Sequence, residues 1–139
     1  MPYTEGPVRE LSPEECWGYL KANTLARLAV SVGSEIDIFP INYYADGTSI
    51  LFRTAPGTKL LELSVNKHVA IETDGHSDAD AWSVVVKGTA RPVELQSEID
   101  EADATPLKPW VPTLKYRYVR IDPTQLSGRY FERTEEPER

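Results

Sequence analysis

Apolar and polar residues alternate along much of this chain, and short groups of turn-forming residues separate the alternating runs. In the first half, such runs cover residues 25–33, 36–45 and 48–53, with turn signals at 33–35 and 46–47. Successive side chains of a β-strand point to opposite faces, and short connections containing Gly or Asp join antiparallel strands. The pattern therefore predicts three strands joined by two hairpins.

The second half of the chain continues the alternation in longer pieces. Its longest run, residues 81–93, contains consecutive β-branched residues, and Gly88 inside it predicts a bulge or a close approach of two backbones. A polar loop is predicted at residues 74–80. Three more strands are predicted at residues 67–73, 116–121 and 126–131.

Helices are few and short in this pattern. Ser12, followed by Pro13 and then by Glu15, is the signature of a capped helix start, and this helix should end near residue 23. The sequence also predicts helices at residues 57–66 and 98–102, an ordered loop at residues 105–112, and flexible arms at residues 1–10 and 132–139.

These elements predict a single, mainly β domain spanning residues 1–139. Many hairpins and few helices favour an antiparallel β-barrel, with a Greek-key-like strand order, over a parallel sheet wound with crossover helices. A chain of 139 residues is long enough for one hydrophobic core and too short for two of ordinary size.

Composition narrows the classes of function. The net charge is −7 and the chain has no basic run, which argues against a nucleic-acid partner. No apolar run approaches the roughly 18–20 residues of a membrane span and no secretory signal is recognised, so we expect a cytoplasmic protein without membrane contact. One cysteine and two histidines lack the spacing of a metal site, so we expect no metal.

The segment at residues 52–60 carries the clearest chemical signal, because it joins a predicted strand to a predicted helix. Pro56 suits the first turn of a helix, and Gly57 lets the backbone approach a ligand. A helix N-terminus attracts an anion, and nearby cations add charge-assisted hydrogen bonds. The same residues also suit a solvated strand end with capping hydroxyls. As a phosphate site, the corner would use Arg53, Thr54, Thr58 and Lys59.

Four segments, in this order and spacing, give the chain a family resemblance. They are Ala-Arg-Leu-Ala-Val-Ser at residues 26–31, Phe-Pro-Ile-Asn-Tyr at 39–43, the corner at 52–60, and Trp-Ser-Val-Val-Val-Lys-Gly at 82–88. Over residues 11–129 the chain resembles the pyridoxamine 5′-phosphate oxidase-like family of FMN-binding split barrels.

The resemblance implies an FMN bound across a homodimer interface. Its phosphate would lie at the corner that contains Arg53, Thr54, Thr58 and Lys59. The flavin ring would meet Pro40, Ile41 and Asn42, largely through their backbone groups, while Trp82 and Ser83 would line the cofactor from a later strand. An anion cradle beside a flat, mostly apolar slot agrees with what a flavin requires.

The function implied by the resemblance is a flavin-dependent oxidoreductase that acts on a small organic acceptor. The chain lacks the C-terminal arginine-containing stretch that true pyridoxamine phosphate oxidases share, which disfavours oxidation of vitamin B6. Two alternatives are open: a non-catalytic module that binds flavin, deazaflavin or haem as a carrier or sensor, and a structural barrel that binds a partner protein. Tyr43, Tyr44 and His76 are candidate proton donors by residue type alone.

Overall fold

The structure is a computed structural model that describes residues 8–54, 67–107 and 117–133. Its strands are β1 (Val8–Glu10), β2 (Leu25–Val32), β3 (Glu35–Ala45), β4 (Ile50–Thr54), β5 (His68–His76), β6 (Asp80–Pro92) and β7 (Arg117–Glu132), and its helices are α1 (Pro13–Ala22) and α2 (Gln96–Asp103). The predicted helix at residues 57–66 and the loop beyond residue 107 lie outside the described residues.

The described strands form one antiparallel sheet in the order β1-β7-β4-β3-β2-β5-β6. Because β6 also pairs with β7 along its whole length, the six strands from β7 to β6 close into a barrel, and β1 adds to the outside edge of β7. Closure leaves fewer strand edges exposed to solvent. The predicted mainly β, antiparallel barrel is confirmed.

Two hydrophobic clusters hold the fold together. The main cluster fills the barrel, and α1 seals it with Cys16 and Leu20, which are buried. The second cluster lies outside the barrel, where α2 covers the outer faces of β4 and β7; its buried members are Leu51, Val93, Ala102, Leu107 and Tyr118.

The start of α1 forms as the sequence predicts. The Ser12 hydroxyl accepts a hydrogen bond from the backbone N–H of Glu15, and the Glu15 carboxylate accepts one from the backbone N–H of Ser12, both at 3.1 Å. This reciprocal capping box satisfies two helix N–H groups that would otherwise lack partners.

Strand β5 is longer than the sequence predicts. It continues through Gly75 to His76, so the predicted loop at residues 74–80 shrinks to a turn at 77–79. The reason is cross-strand packing: Gly75 pairs with Trp82, and a Cβ atom at Gly75 would come within 2.7 Å of the indole Nε1. Only a glycine leaves room for the indole at this position. The polar residues around Gly75 predict a loop, and the sequence does not show that Trp82 packs over Gly75.

The two strands predicted at residues 116–121 and 126–131 are one continuous strand, β7. Pro123 lies opposite Gly88, next to the register shift between Lys87 and Gly88. A proline, which has no N–H to donate, is tolerated at such a bulge. The register passes from the Lys87–Gln125 pair to the Gly88–Pro123 pair, so the extra residue, Thr124, lies on β7, and it is the predicted close approach of two backbones that is confirmed at Gly88.

The predicted flexible arms are partly ordered. Strand β1, at Val8–Glu10, pairs with residues 129–131 of β7, and the Arg9 guanidinium lies 5.0 Å from the centroid of the Tyr130 ring. At the other end, the backbone N–H of Arg133 donates to the carbonyl of Ala79 at 2.8 Å. Residues 8–10 and 132–133 are thus docked on the barrel, and the rest of both predicted arms lies outside the described residues.

Candidate functional site

The predicted ring-side residues lie on β3, and they divide between its two faces. Ile41 points into the barrel and is buried, whereas Pro40 and Asn42 belong to the alternate set that faces away from the core. We call that side of β3, β2, β5 and β6 the outer face. Side-chain contacts with a ligand on the outer face are therefore open to Pro40 and Asn42, and Ile41 could contribute only its backbone groups.

Strand β3 is paired unevenly along its length. Its residues 43–45 pair with β4, whereas the paired register with β2 runs from Glu35 to Asn42. In the described part of the chain, residues 35–41 therefore have a strand neighbour on one side only. A ligand that reads backbone groups can approach an edge of this kind.

Arg53 and Thr54 end β4, directly beyond its paired segment with β3. Tyr43 is paired with Phe52, so Asn42 and Arg53 are the next residues along their two strands. Arg53 is half-buried, and its guanidinium carbon lies 5.7 Å from the centroid of the Tyr118 ring, a cation–π arrangement. The structure thus brings Arg53 and Thr54 close to the ring-side segment of β3. Thr58 and Lys59 lie outside the described residues.

Trp82 and Ser83 do not join this group within one chain. They lie on β6, three strand-to-strand steps from β3, which corresponds to about 14 Å at the usual ~4.8 Å spacing. Trp82 stacks on Tyr19 of α1, with ring centroids 4.4 Å apart, and packs against the main cluster. Ser83 alternates with Trp82 and belongs to the outer face. Their role as cofactor contacts stays a prediction.

The structure adds Arg27 to the site. Arg27 is paired with Pro40, and its guanidinium donates hydrogen bonds to Glu72 at 2.9 Å and to Asp74 at 3.4 Å. Burial and the adjacent Asp74 carboxylate raise the pKa of Glu72, and Arg27 opposes the rise. One feature of the sequence could have indicated Arg27 as a site residue: it is the one charged residue in the strand at 25–32.

The candidate proton donors are poorly placed for this site. Tyr43 is buried in the main cluster, its hydroxyl donates to the carbonyl of Leu20 at 2.8 Å, and burial raises its pKa to about 12. Tyr44 packs against the second cluster. His76 is exposed at the far end of β5. Tyr43 therefore cannot exchange a proton with a ligand on the outer face.

Among residues 8–54, 67–107 and 117–133, no group of three or more His, Cys, Asp or Glu side chains is arranged to hold a metal ion. Over the same ranges, no helix has the length and apolar character needed to cross a bilayer.

Comparison with known proteins places this architecture in a family. Residues 12–130 match the family model described as pyridoxamine 5′-phosphate oxidase. The chain belongs to the pyridoxamine 5′-phosphate oxidase family. The resemblance in the four sequence segments is thereby confirmed.

Three similar proteins show how closely this chain resembles known sequences and structures. A crystal structure of a candidate pyridoxamine 5′-phosphate oxidase from Corynebacterium glutamicum is 42% identical, with a TM-score of 0.85, over 94% of this chain and 98% of that one. A protein of Mycobacterium smegmatis described as FAD-binding is 41% identical, with a TM-score of 0.78, over 88% of this chain and 98% of that one. An uncharacterised protein of Mycobacterium tuberculosis is 41% identical over 93 residues, which are 67% of this chain and 84% of that protein.

Proposed function

We propose that this chain binds a flavin nucleotide on the outer face of its barrel and acts as a flavin-dependent oxidoreductase on a small organic acceptor. The observation that carries the proposal is the 41% identity, over 88% of the chain, to a protein described as FAD-binding. At that identity and coverage, and with a TM-score of 0.78, the relative has the same barrel.

The described residues fit a flavin in two respects. The edge of β3 offers backbone groups beside Pro40, and Arg53 stands at the entrance to the predicted phosphate corner. A bound flavin supplies reversible uptake and release of one or two electrons. In this proposal Arg53 and Thr54 bind the phosphate together with Thr58 and Lys59, while Pro40, Ile41 and Asn42 orient the ring.

The identity of the flavin is a separate question. FMN is the cofactor that the sequence predicts, whereas the mycobacterial relative is described as FAD-binding. The two flavins share the ring and the first phosphate, so the residues named above would serve either one. Release of the cofactor from purified protein by heat, followed by mass measurement, distinguishes FMN from FAD directly.

The proposed assembly is a homodimer with the flavin between the two copies. Ile36 and Ile38 lie on the outer face of β3, close to Pro40, and are 72% and 66% exposed. Burying large aliphatic side chains of this kind on a second copy would stabilise association through the hydrophobic effect. Ser83, which lies on the outer face of β6 and is distant from Pro40 within one chain, would then be available to the partner's flavin, and Trp82 could contribute its backbone groups.

Visible absorption of the purified protein tests flavin binding. We expect flavin bands in the isolated protein, or their uptake when FMN or FAD is added, and loss of these bands when reduced nicotinamide is added without oxygen. A colourless protein that takes up neither flavin would contradict the proposal.

One structural observation supports a second candidate, a non-catalytic flavin-, deazaflavin- or haem-binding carrier or sensor. Of the two candidate tyrosines on β3, Tyr43 is buried on the inner face of the barrel and Tyr44 packs against the second cluster, so neither lies within the ring-side segment. Bound flavin that no electron donor reduces would favour this candidate over the oxidoreductase.

A further inference from the structure

A groove of about 400 Å³ lies on the outer face, next to the candidate flavin site. Its floor crosses three strands, where Ala29 pairs with Ala70 and Ala70 pairs with Lys87. The two alanine side chains are short, so the floor is low and apolar between taller side chains on either side. The volume falls within the range of small-molecule sites, roughly 300–1,000 Å³.

The rim of the groove carries positive charge in an acidic protein. The chain has 22 acidic and 15 basic residues, yet the groove's described lining includes His68 and Lys87 and no Asp or Glu. Lys87 is exposed and takes part in none of the ion pairs within residues 8–54, 67–107 and 117–133. A cation over an apolar floor is suited to a ligand that has an apolar body and an anionic end.

The remaining rim residues are consistent with such a ligand. Gln125, which pairs with Lys87, and Ser31 also line the groove and contribute polar side chains. Ile36, which belongs to the proposed dimer contact, bounds the groove on the β3 side, so the groove would open beside that interface. Glu72, an acidic side chain two residues along β5 from Ala70 on the same face, is engaged by Arg27 at 2.9 Å. Repulsion of an anion by Glu72 is therefore reduced.

The groove also adjoins the residues assigned to the flavin. Ala29 is two residues along β2 from Arg27, which pairs with Pro40. Two residues of a strand span about 7 Å. A molecule bound over Ala29 and Ala70 would therefore lie beside the residues of the predicted ring site, about one pair of strand residues away.

We propose that this groove binds a small molecule with an apolar body and a carboxylate, and that the carboxylate is held at Lys87. The binding itself needs no flavin. Its role as the place where the electron acceptor is held rests on the proposed function, and it narrows the acceptor to carboxylate-bearing compounds.

The test uses benzoate as the probe and benzamide as its uncharged counterpart, in nuclear magnetic resonance titrations of the full chain. We expect benzoate to shift the backbone amide signals of Ala29, Ala70, Lys87 and Gln125, with an affinity at least about threefold tighter than that of benzamide. Exposed ion pairs are worth up to about a fivefold change in affinity, which sets the scale.

Matched variants locate the anion site. Lys87→Gln should weaken benzoate binding about three- to fivefold and leave benzamide binding unchanged. Lys21→Gln, which removes an exposed lysine of α1 away from the groove, should change neither affinity. Ala70→Leu should fill the floor and abolish the shifts from both probes, while an otherwise native spectrum shows that the variant is folded.

Three outcomes would overturn the proposal: no shifts at the groove residues, equal affinities for benzoate and benzamide, or equal effects of Lys87→Gln and Lys21→Gln. Flavin titrations of the same samples separate the two hypotheses. Normal flavin uptake without benzoate binding would refute the groove assignment alone, and benzoate binding without flavin uptake would refute the proposed function alone.

Discussion

At the scale of single residues, the same sequence pattern places neighbouring side chains in opposite environments. Tyr43 is inside the barrel and hydrogen-bonded to a carbonyl of α1, whereas Asn42 and Arg53 belong to the outer face. Alternation along a strand predicts that two sets exist. The sequence does not show which set faces a ligand, because that depends on how the barrel closes. From the sequence, Ile41 and Asn42 were equally good candidates for a side-chain contact with a ligand, and the structure places them on opposite faces of β3.

The first residue-scale prediction concerns Arg53. Arg53→Ala should weaken flavin binding about tenfold or more, since a hydrogen bond to a charged group contributes roughly 1.5–3 kcal/mol. Fluorescence titration with FMN and with FAD measures the change. Arg133→Ala, which removes an exposed arginine at the end of β7, is the control and should bind normally. Equal affinities for the Arg53 variant and the unmodified protein would remove Arg53 from the site.

The second residue-scale prediction concerns the buried Tyr43 hydroxyl. Tyr43→Phe removes the donor to Leu20 and leaves a buried carbonyl without its partner. We expect the free energy of unfolding to fall by about 1–2 kcal/mol, as measured by urea denaturation, with flavin affinity unchanged because the hydroxyl lies on the inner face. A loss of flavin binding in a stably folded variant would show that Tyr43 contributes to the site after all.

At the scale of secondary structure elements, local signals predicted where strands and helices exist better than where they end. The capping box at Ser12 depends on neighbouring residues and was predicted correctly, and Gly88 was predicted correctly as a point where two backbones approach closely. The apparent break near Pro123 was misleading, because pairing with β6 carries β7 through a turn-like sequence. Strand ends depend on the partner strand, and the partner is remote in the sequence.

The element-scale prediction compares two glycines. A Cβ atom at Gly88 would clash with the backbone carbonyl oxygen of Asp122, whereas a Cβ atom at Gly18 in α1 meets nothing within 4 Å. Gly88→Ala should therefore lower the free energy of unfolding by about 1–3 kcal/mol, and Gly18→Ala should raise it by about 0.5–1 kcal/mol through helix propensity. Urea denaturation of the two variants measures both effects. If Gly88→Ala were neutral, the close approach of β6 and β7 would not constrain the fold.

At the scale of the whole molecule, the barrel leaves large aliphatic side chains on its outer face. Ile38 is 66% exposed beside the candidate flavin site, and Leu95, before α2, is also 66% exposed but lies elsewhere on the chain. Isolated exposed aliphatic residues are common, whereas neighbouring ones indicate an interaction surface. Ile36 and Ile38 are neighbours on one face of β3, which is why the proposed dimer contact lies there.

The whole-molecule prediction follows from the contrast between Ile38, which has an exposed aliphatic neighbour, and Leu95, which is equally exposed but lies elsewhere. Sedimentation should give about twice the 15.6 kDa chain mass for the unmodified protein. Ile38→Asp should shift the protein to the monomer and weaken flavin binding, because it places a charge in the proposed interface. Leu95→Asp, matched in exposure, should leave the dimer intact. Dimers that persist in the Ile38 variant, or that dissociate in both variants, would contradict the assignment.

The sequence by itself determined the mainly β barrel, the capped first helix and the family. These depend on alternation, short-range hydrogen bonds and segments that can be read along the chain. Only the tertiary structure placed Arg27 beside Pro40, stacked Trp82 on Tyr19, and set Ala29 and Ala70 under Lys87. Those contacts join residues far apart in sequence, and the register that creates them is set by the pairing of strands around a closed barrel.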